Sequence, residues 1–415
     1  MKSISTLAIA VSLLAGGAMV ATPAAAQKNK KQAEQSQEPK QTLSKEERAT
    51  LVPLQTAINA NDFATAATLL PAAQAAAKGA DARYILAGLQ LKIATANKDE
   101  AAQAAAIEAL LASGRVAAQD QTRLYSALGG LYTNLKRPEQ AAAALQKLGE
   151  LDPNSTAPVL ALAETRAREN KPAEAIALID RAIGLAKANG QPVPESWYRR
   201  ALKFAYEAKL PAQTLRTSQA LVAAYPTPDN WRDALTIYRR QAKLDKPMET
   251  DVLRLMRAAK ALQGDADFYT LASHLNEAGL PGESKAVMDE GARAKLINAN
   301  KDYFRALMSA TAGRVADDRA SLPGLEAKAK AAPNGKLALS TADAFFGYGD
   351  YAKSAELYRT ALQKGSVDAN LANSRLGMAL AMAGRKAEAE AALKAVSGPR
   401  ATLAQFWMLL LSQRA

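Results

Sequence analysis

The chain has 415 residues, of which 49% are apolar but only 5% aromatic, and its formal net charge is +13. It contains no cysteine and a single histidine, which excludes thiolate catalysis, cysteine-held zinc, iron–sulfur clusters and histidine-rich metal sites. Alanine, the best helix former, is abundant, and no long alternating run of Val, Ile and Thr occurs, so helices are expected and strands are not.

At the N-terminus Lys2 precedes an apolar run from Leu7 to Val20, and Ala24-Ala25-Ala26 stands before Gln27. This pattern predicts a secretory signal peptide over residues 1–26. The run approaches a spanning length, so an uncleaved anchor is the alternative, with Pro23 and the small-residue site favouring cleavage. No cysteine follows to be acylated. The expected location is periplasmic or secreted, in a bacterium. Without disulfides, stability there rests on helix packing. Residues 27–44 are rich in Lys, Gln and Glu and nearly devoid of large apolar side chains, which predicts a disordered basic tether carrying Lys28, Lys30 and Lys31.

Ser44 followed by Glu47 forms a capping-box pattern that starts the first helix. From there the pattern reads as helices of roughly 12–15 residues separated by breakers. Among these breakers are Ala60-Asn61-Asp62, Asn97-Lys98-Asp99, Lys136-Arg137-Pro138, Leu210-Pro211, Leu280-Pro281-Gly282, Ala332-Pro333-Asn334-Gly335 and Gly347-Tyr348-Gly349-Asp350. A two-helix unit recurs about every 34 residues. One copy reads Tyr125-x2-Leu128-Gly129-x2-Tyr132, then Ala141, Leu145 and Leu148. Another reads Leu376-Gly377-x2-Leu380, then Ala389, Leu393 and Val396. Related first helices carry Tyr84, Val159, Tyr198, Trp231, Phe268 and Phe304 at the leading position. Each such unit buries its apolar face only against its neighbours.

These residues resemble the tetratricopeptide repeat (TPR) family. The resemblance implies an all-α TPR-like helical-repeat solenoid, a right-handed superhelix of antiparallel helix pairs, over residues 45–400. It further implies a non-enzymatic scaffold or adaptor that binds a segment of a protein partner in its concave groove. The closing helix, residues 401–415, carries Leu403, Phe406, Trp407, Leu410 and Leu411. It reads as a cap on the last repeat, or alternatively as a docking or dimer helix.

Charge is concentrated in the middle of the chain. From Trp197 to Lys260 there are 13 Lys and Arg against 6 Asp and Glu, a positive excess in under a fifth of the length. Arg199 and Lys203 lie four apart on one helix face with Tyr206 a turn further, and Arg232, Thr236 and Arg239 repeat the stripe. Each stripe begins one residue after the packing aromatic Tyr198 or Trp231, about 100° around the helix. In the TPR resemblance that flank lines the groove, where these six residues would select an acidic segment of an envelope protein. The bland reading is a set of solvated basic faces equivalent to Arg200, Arg240 and Lys243. A second functional class is a binder of anionic envelope lipid or cell-wall polymer at a membrane surface. A signal peptide argues against nucleic acid.

Catalytic constellations are scarce. His274 lies within a repeat helix. Gly347 to Ala352 fits GxGxx(G/A), but it follows a helix where a dinucleotide fingerprint needs a strand. Asp317-Asp318-Arg319, the tightest acidic cluster, reads as the cap of an apolar helix. No cofactor and no metal is expected.

Overall fold

The computed structural model describes residues 42–414. The signal peptide, residues 1–26, and the tether up to residue 41 lie outside the described residues. Twenty α-helices and one short 3-10 turn make up the regular structure among the described residues, without a strand. The chain divides into two compact units, one ending at Val193 and the other beginning at Pro194.

The first unit contains four antiparallel pairs, α1 (Lys45–Asn59) with α2 (Phe63–Ala76), α3 (Ala80–Ala96) with α4 (Glu100–Ala112), α5 (Ala118–Asn134) with α6 (Pro138–Leu151), and α7 (Thr156–Arg168) with α8 (Pro172–Ala188). The capping box at its start is present: the Glu47 amide donates to Ser44 Oγ at 3.2 Å and the Ser44 amide to Glu47 Oε2 at 2.8 Å. Glu47 Oε1 also accepts from the Gly79 amide at 2.8 Å, which ties the start of α1 to the start of α3.

The second unit begins with the pair α9 (Glu195–Glu207) and α10 (Pro211–Ala224), followed by α11 (Pro228–Gln241) and α12 (Lys246–Ala258). Then come α13 (Gly264–Glu277), α14 (Pro281–Arg293), α15 (Asp302–Ala331), α16 (Lys336–Gly347), α17 (Tyr351–Lys364), α18 (Ala369–Met382), α19 (Lys386–Lys394), a 3-10 turn (Gly398–Arg400) and α20 (Ala401–Gln413).

A single local device makes most of the pairs. Eight residues in the left-handed region, Asn61, Lys98, Lys136, Asn170, Lys209, Gly279, Gly349 and Gly384, follow the first helix of a pair with φ between 54° and 81°. Such a residue ends a helix and reverses the chain, so the next helix starts two positions later. In seven of the eight, the fifth residue after it is small: Ala66, Ala141, Ala175, Thr214, Ser284, Ser354 and Ala389, none more than 2% exposed. Larger side chains there would push the two helices apart. Ser284 and Ser354 satisfy their hydroxyls by donating back to the first helix, to Ala272 O at 2.7 Å and Ala342 O at 2.9 Å.

Glycine serves the same close approach from the other side. A Cβ on Gly129 would lie 2.8 Å from Leu145 Cδ2, whereas a Cβ on Gly130 meets nothing within 4 Å. Adjacent substitutions should therefore have opposite signs. Gly129→Ala is expected to destabilise by about 1–3 kcal/mol. Gly130→Ala is expected to stabilise by about 0.5–1 kcal/mol through lost unfolded-chain entropy. Thermal melts of the two single variants check this directly.

Two places in the second unit break the pattern. The linker 242–245 leads from α11 to α12 without a left-handed residue. The following α12 is enclosed on all sides: Met248, Asp251, Val252, Leu253, Arg254, Leu255 and Met256 are all buried. The second departure is α15, 30 residues long with Pro323 inside it, twice the length expected from the sequence. Its length corrects the reading of Asp317-Asp318-Arg319 as a cap. These residues are internal to α15, where Asp318 Oδ2 accepts from Tyr348 Oη at 2.6 Å and the Arg319 guanidinium lies 5.7 Å from the Tyr348 ring centre.

The closing helix α20 does more than cover α18 and α19. The Phe406 ring lies 6.1 Å from Trp231 and 5.8 Å from Tyr238, both on α11. Gln413 accepts from Trp231 Nε1 at 3.1 Å and donates to Val222 O at 2.9 Å, and Arg414 donates to Ala258 O at 2.8 Å. Its apolar residues Leu403, Phe406, Trp407, Leu410 and Leu411 are all buried, so Trp407 offers no face to a second copy. No helix among the described residues is long and apolar enough to cross a membrane.

Candidate functional site

The two predicted stripes have different fates. On α9, Tyr198 is buried and turns the next position outward. Arg199 donates from Nε to Glu195 Oε1 at 2.9 Å and from Nη2 to Asn230 Oδ1 of α11 at 2.8 Å, leaving its side chain 50% exposed. Lys203 is 67% exposed with only Glu207 at 3.8 Å, and Tyr206 is 59% exposed. This stripe faces solvent.

On α11 the equivalent charges are spent. Arg232 Nη1 donates to Asp267 of α13, and Arg239 donates to Glu249 Oε1 of α12 at 2.7 Å and to Asp267 Oδ1 at 3.4 Å. Thr236, on the same face, is half-buried. The structure therefore brings Arg232 and Arg239 together on one shared carboxylate, Asp267. Two cations against two anions leave little field for a partner. Reach is what separates the helices: α11 is followed by α12 and α13, whose acids lie within hydrogen-bond distance.

The sequence reading missed the largest electrostatic feature of the second unit. Asp251 of α12, 0% exposed, accepts from Arg254 Nη1 at 3.0 Å, Arg375 Nε of α18 at 3.2 Å and Arg400 Nη1 of the 3-10 turn at 2.7 Å. Arg254 also donates to Glu283 of α14 from Nε at 3.0 Å, and Arg375 donates to Asp343 of α16 at 2.7 Å. Three guanidinium groups meet three carboxylates, so the cluster is neutral as a whole. Burial alone would raise the Asp251 carboxyl, but the pull of Arg375, then Arg254 and Arg400, holds it below the usual carboxylate range. A signal was present in the sequence. Asp251 and Arg254 are interleaved with Val252, Leu253, Leu255 and Met256, and a helix apolar all round is a buried one whose charges need partners.

In the first unit Gly129 meets Leu145, and in the second Gly377 meets Leu393, whose Cγ would lie 2.5 Å from an added Cβ. The left-handed turn recurs in eight helix pairs between α1 and α19, and the buried small residue in seven of them. This is a TPR-like helical-repeat fold. Here Arg375 of α18 donates both to Asp251 of α12 and to Asp343 of α16, so one side chain joins the three helices.

No family model and no curated protein matches the chain. Among solved structures it is similar to the MamA protein, at 15% identity and a TM-score of 0.27, over 46% of this chain and 92% of that one. A second is the TPR2AB domain of yeast Sti1 in complex with pHSP90, at 14% identity and a TM-score of 0.25, over 71% and 100%. A third is a tetratricopeptide repeat protein from Parabacteroides merdae, at 12% identity and a TM-score of 0.25, over 71% and 99%. The fold assignment rests on the packing described above.

His274, in α13, shares a hydrogen bond of 3.3 Å between its Nδ1 and Thr250 Oγ1. Desolvation lowers its pKa, with Glu249 and Glu277 opposing and Lys246 and Arg239 assisting, so the ring is neutral at pH 7. Among the described residues no group of three or more metal-type side chains is gathered.

Proposed function

We propose that the protein is a non-enzymatic scaffold of the cell envelope which docks an acidic segment of another envelope protein on the exposed stripe of α9. The carrying observation is Tyr206. Among the described residues it is the most exposed of the large apolar side chains at 59%, and it shares its helix face with Lys203 and Arg199. An aromatic ring of low rotamer entropy beside two cations suits a hot spot for a carboxylate-bearing segment. The α11 stripe contributes rigidity, because Arg232 and Arg239 lock α11 to α12 and α13. Export follows from the reading of residues 1–26, and the scaffold role from the TPR-like fold.

In-cell crosslinking with mass-spectrometric identification tests the site, comparing the native chain with a Lys203→Glu, Tyr206→Ala variant of unchanged helicity. A discrete envelope protein captured by the native chain and lost from the variant is the expected result. Capture by both would remove α9 as the docking face. Capture of no protein, with salt-sensitive retention on anionic vesicles or wall polymer, would replace the scaffold reading with the polymer-binding one.

A further inference from the structure

On the basis of the docking proposed for α9, we infer that one recurring position, the residue before each packing aromatic, decides which stripe admits an acidic segment. Asn230, before Trp231, keeps α9 open, and Asp267, before Phe268, closes α11. The position matters because the helices meet there in register. The residue after one packing aromatic reaches the residue before the next: Arg199 donates to Asn230 Oδ1 at 2.8 Å, and Arg232 donates to Asp267 Oδ2. One step on, the same two places hold Tyr269 and Tyr303, whose ring centres lie 4.9 Å apart. The contact thus recurs at each step from α9 to α15, and only its chemistry changes.

Asn230 and Asp267 differ in charge and not in reach, and both are buried. An amide oxygen orients a guanidinium and leaves its charge intact, whereas a carboxylate cancels it. Asn230 also serves its place as a donor. Its Nδ2 donates to Glu195 Oε1 at 3.0 Å and to Tyr225 O at 2.9 Å, so a carboxylate at 230 would face two acceptors. The hydrogen bond from Asn230, ahead of Arg199, holds the Glu195 carboxyl below the usual carboxylate range. The acids left beside the α9 stripe, Glu195 and Glu207, have side chains 34% and 62% exposed. Ion pairs of that kind are weak in water and yield to a competing carboxylate. Asp267 differs: its side chain is 10% exposed and holds Arg232 and Arg239 together, where water screens the pairs less. With an amide at 267, one acceptor oxygen could hold Arg232 but no anion would neutralise it, and Arg239 would keep Glu249 alone.

Fluorescence anisotropy of the full chain with a fluorescein-labelled decapeptide alternating Glu and Ala, and with its Gln–Ala counterpart, tests this at low ionic strength. The native chain should bind the acidic peptide only. Arg199→Gln should weaken that binding about tenfold, whereas Arg232→Gln, at the same place one step on, should change it less than about twofold. Asp267→Asn should tighten it about fivefold, and adding Arg232→Gln should cancel the gain. Circular dichroism monitors folding. The two single arginine variants keep Asn230 and Asp267 and decide the matter even if Asp267→Asn perturbs the core. Equal losses in those two variants, or no gain in folded Asp267→Asn protein, would overturn the assignment and leave α9 as a docking face. Binding of the peptide by the Asp267→Asn protein but not by the native chain would instead remove α9 docking and keep Asp267 as the residue that closes α11. Binding by neither would overturn both.

Discussion

Asp251→Ala is expected to destabilise the protein by about 3–5 kcal/mol, the cost of removing one partner from a buried ion pair. Arg254 keeps Glu283 and Arg375 keeps Asp343 in that variant, but Arg400, 8% exposed, loses the carboxylate that it donates to. A buried guanidinium left without a counter-charge cannot lose its proton to escape the penalty. Urea denaturation followed by circular dichroism measures the effect. Glu150→Ala is the matched control, since Lys147 and Glu150 are 58% and 52% exposed and such surface pairs contribute about 0–1 kcal/mol. A loss at Asp251 no larger than at Glu150 would mean that water reaches the cluster.

The same residue sets an acid limb. Its folded-state pKa lies below the ordinary value, because Arg375, Arg254 and Arg400 outweigh the burial that alone would raise it. A depressed carboxylate contributes stability that is complete above the unfolded value, about 3.9. That contribution is lost as pH falls through the folded value. Stability of the native chain should therefore decline below about pH 4, and Asp251→Asn should show a shallower decline. Parallel slopes in the two proteins would remove Asp251 from the account.

Phe406→Ala is the second large effect, expected at about 3–5 kcal/mol. The ring is 0% exposed and fits between Trp231 and Tyr238, so truncation leaves a cavity between α20 and α11. Loosening α20 also endangers the two hydrogen bonds of Gln413 to Trp231 and Val222. Gln405→Ala, one position earlier and exposed, should be nearly neutral by contrast. Melting temperature and susceptibility to limited proteolysis near Gly398 report the difference. A neutral Phe406→Ala would show that α20 is held by its contacts to α18 and α19 alone.

Helix pairs were legible because their determinants are local. Ser44 and Glu47 lie three residues apart, Gly129 and Leu145 sixteen, and eight of the pairs carry their own turn residue. The departures were not legible for the opposite reason. α12 has an apolar pattern that a second helix of a pair would also show, and nothing near Asp251 announces Arg375 or Arg400, 124 and 149 residues away. α15 runs on through Gly313 and the Pro323-Gly324 pair, residues that usually punctuate a helix, so one helix stands where two would otherwise be counted. Of the candidate site, the placement of both stripes one position beyond a packing aromatic was legible from spacing. The pairing of Arg232 and Arg239 with Asp267 was not, since that acid lies on a later helix.

The return of α20 to α11 bears on the order in which the chain can fold. Repeat units normally find every contact among near neighbours, so they can form one after another as they emerge. The first unit can do so. Trp231 and Val222 instead wait for Gln413, 182 and 191 residues further along. Until α20 arrives, α10 to α12 expose an aromatic seat, and loop closure over that span must precede its reward. Synthesis and folding of the second unit are thus separated in time, and the interval is when a chaperone would find its largest apolar surface to hold.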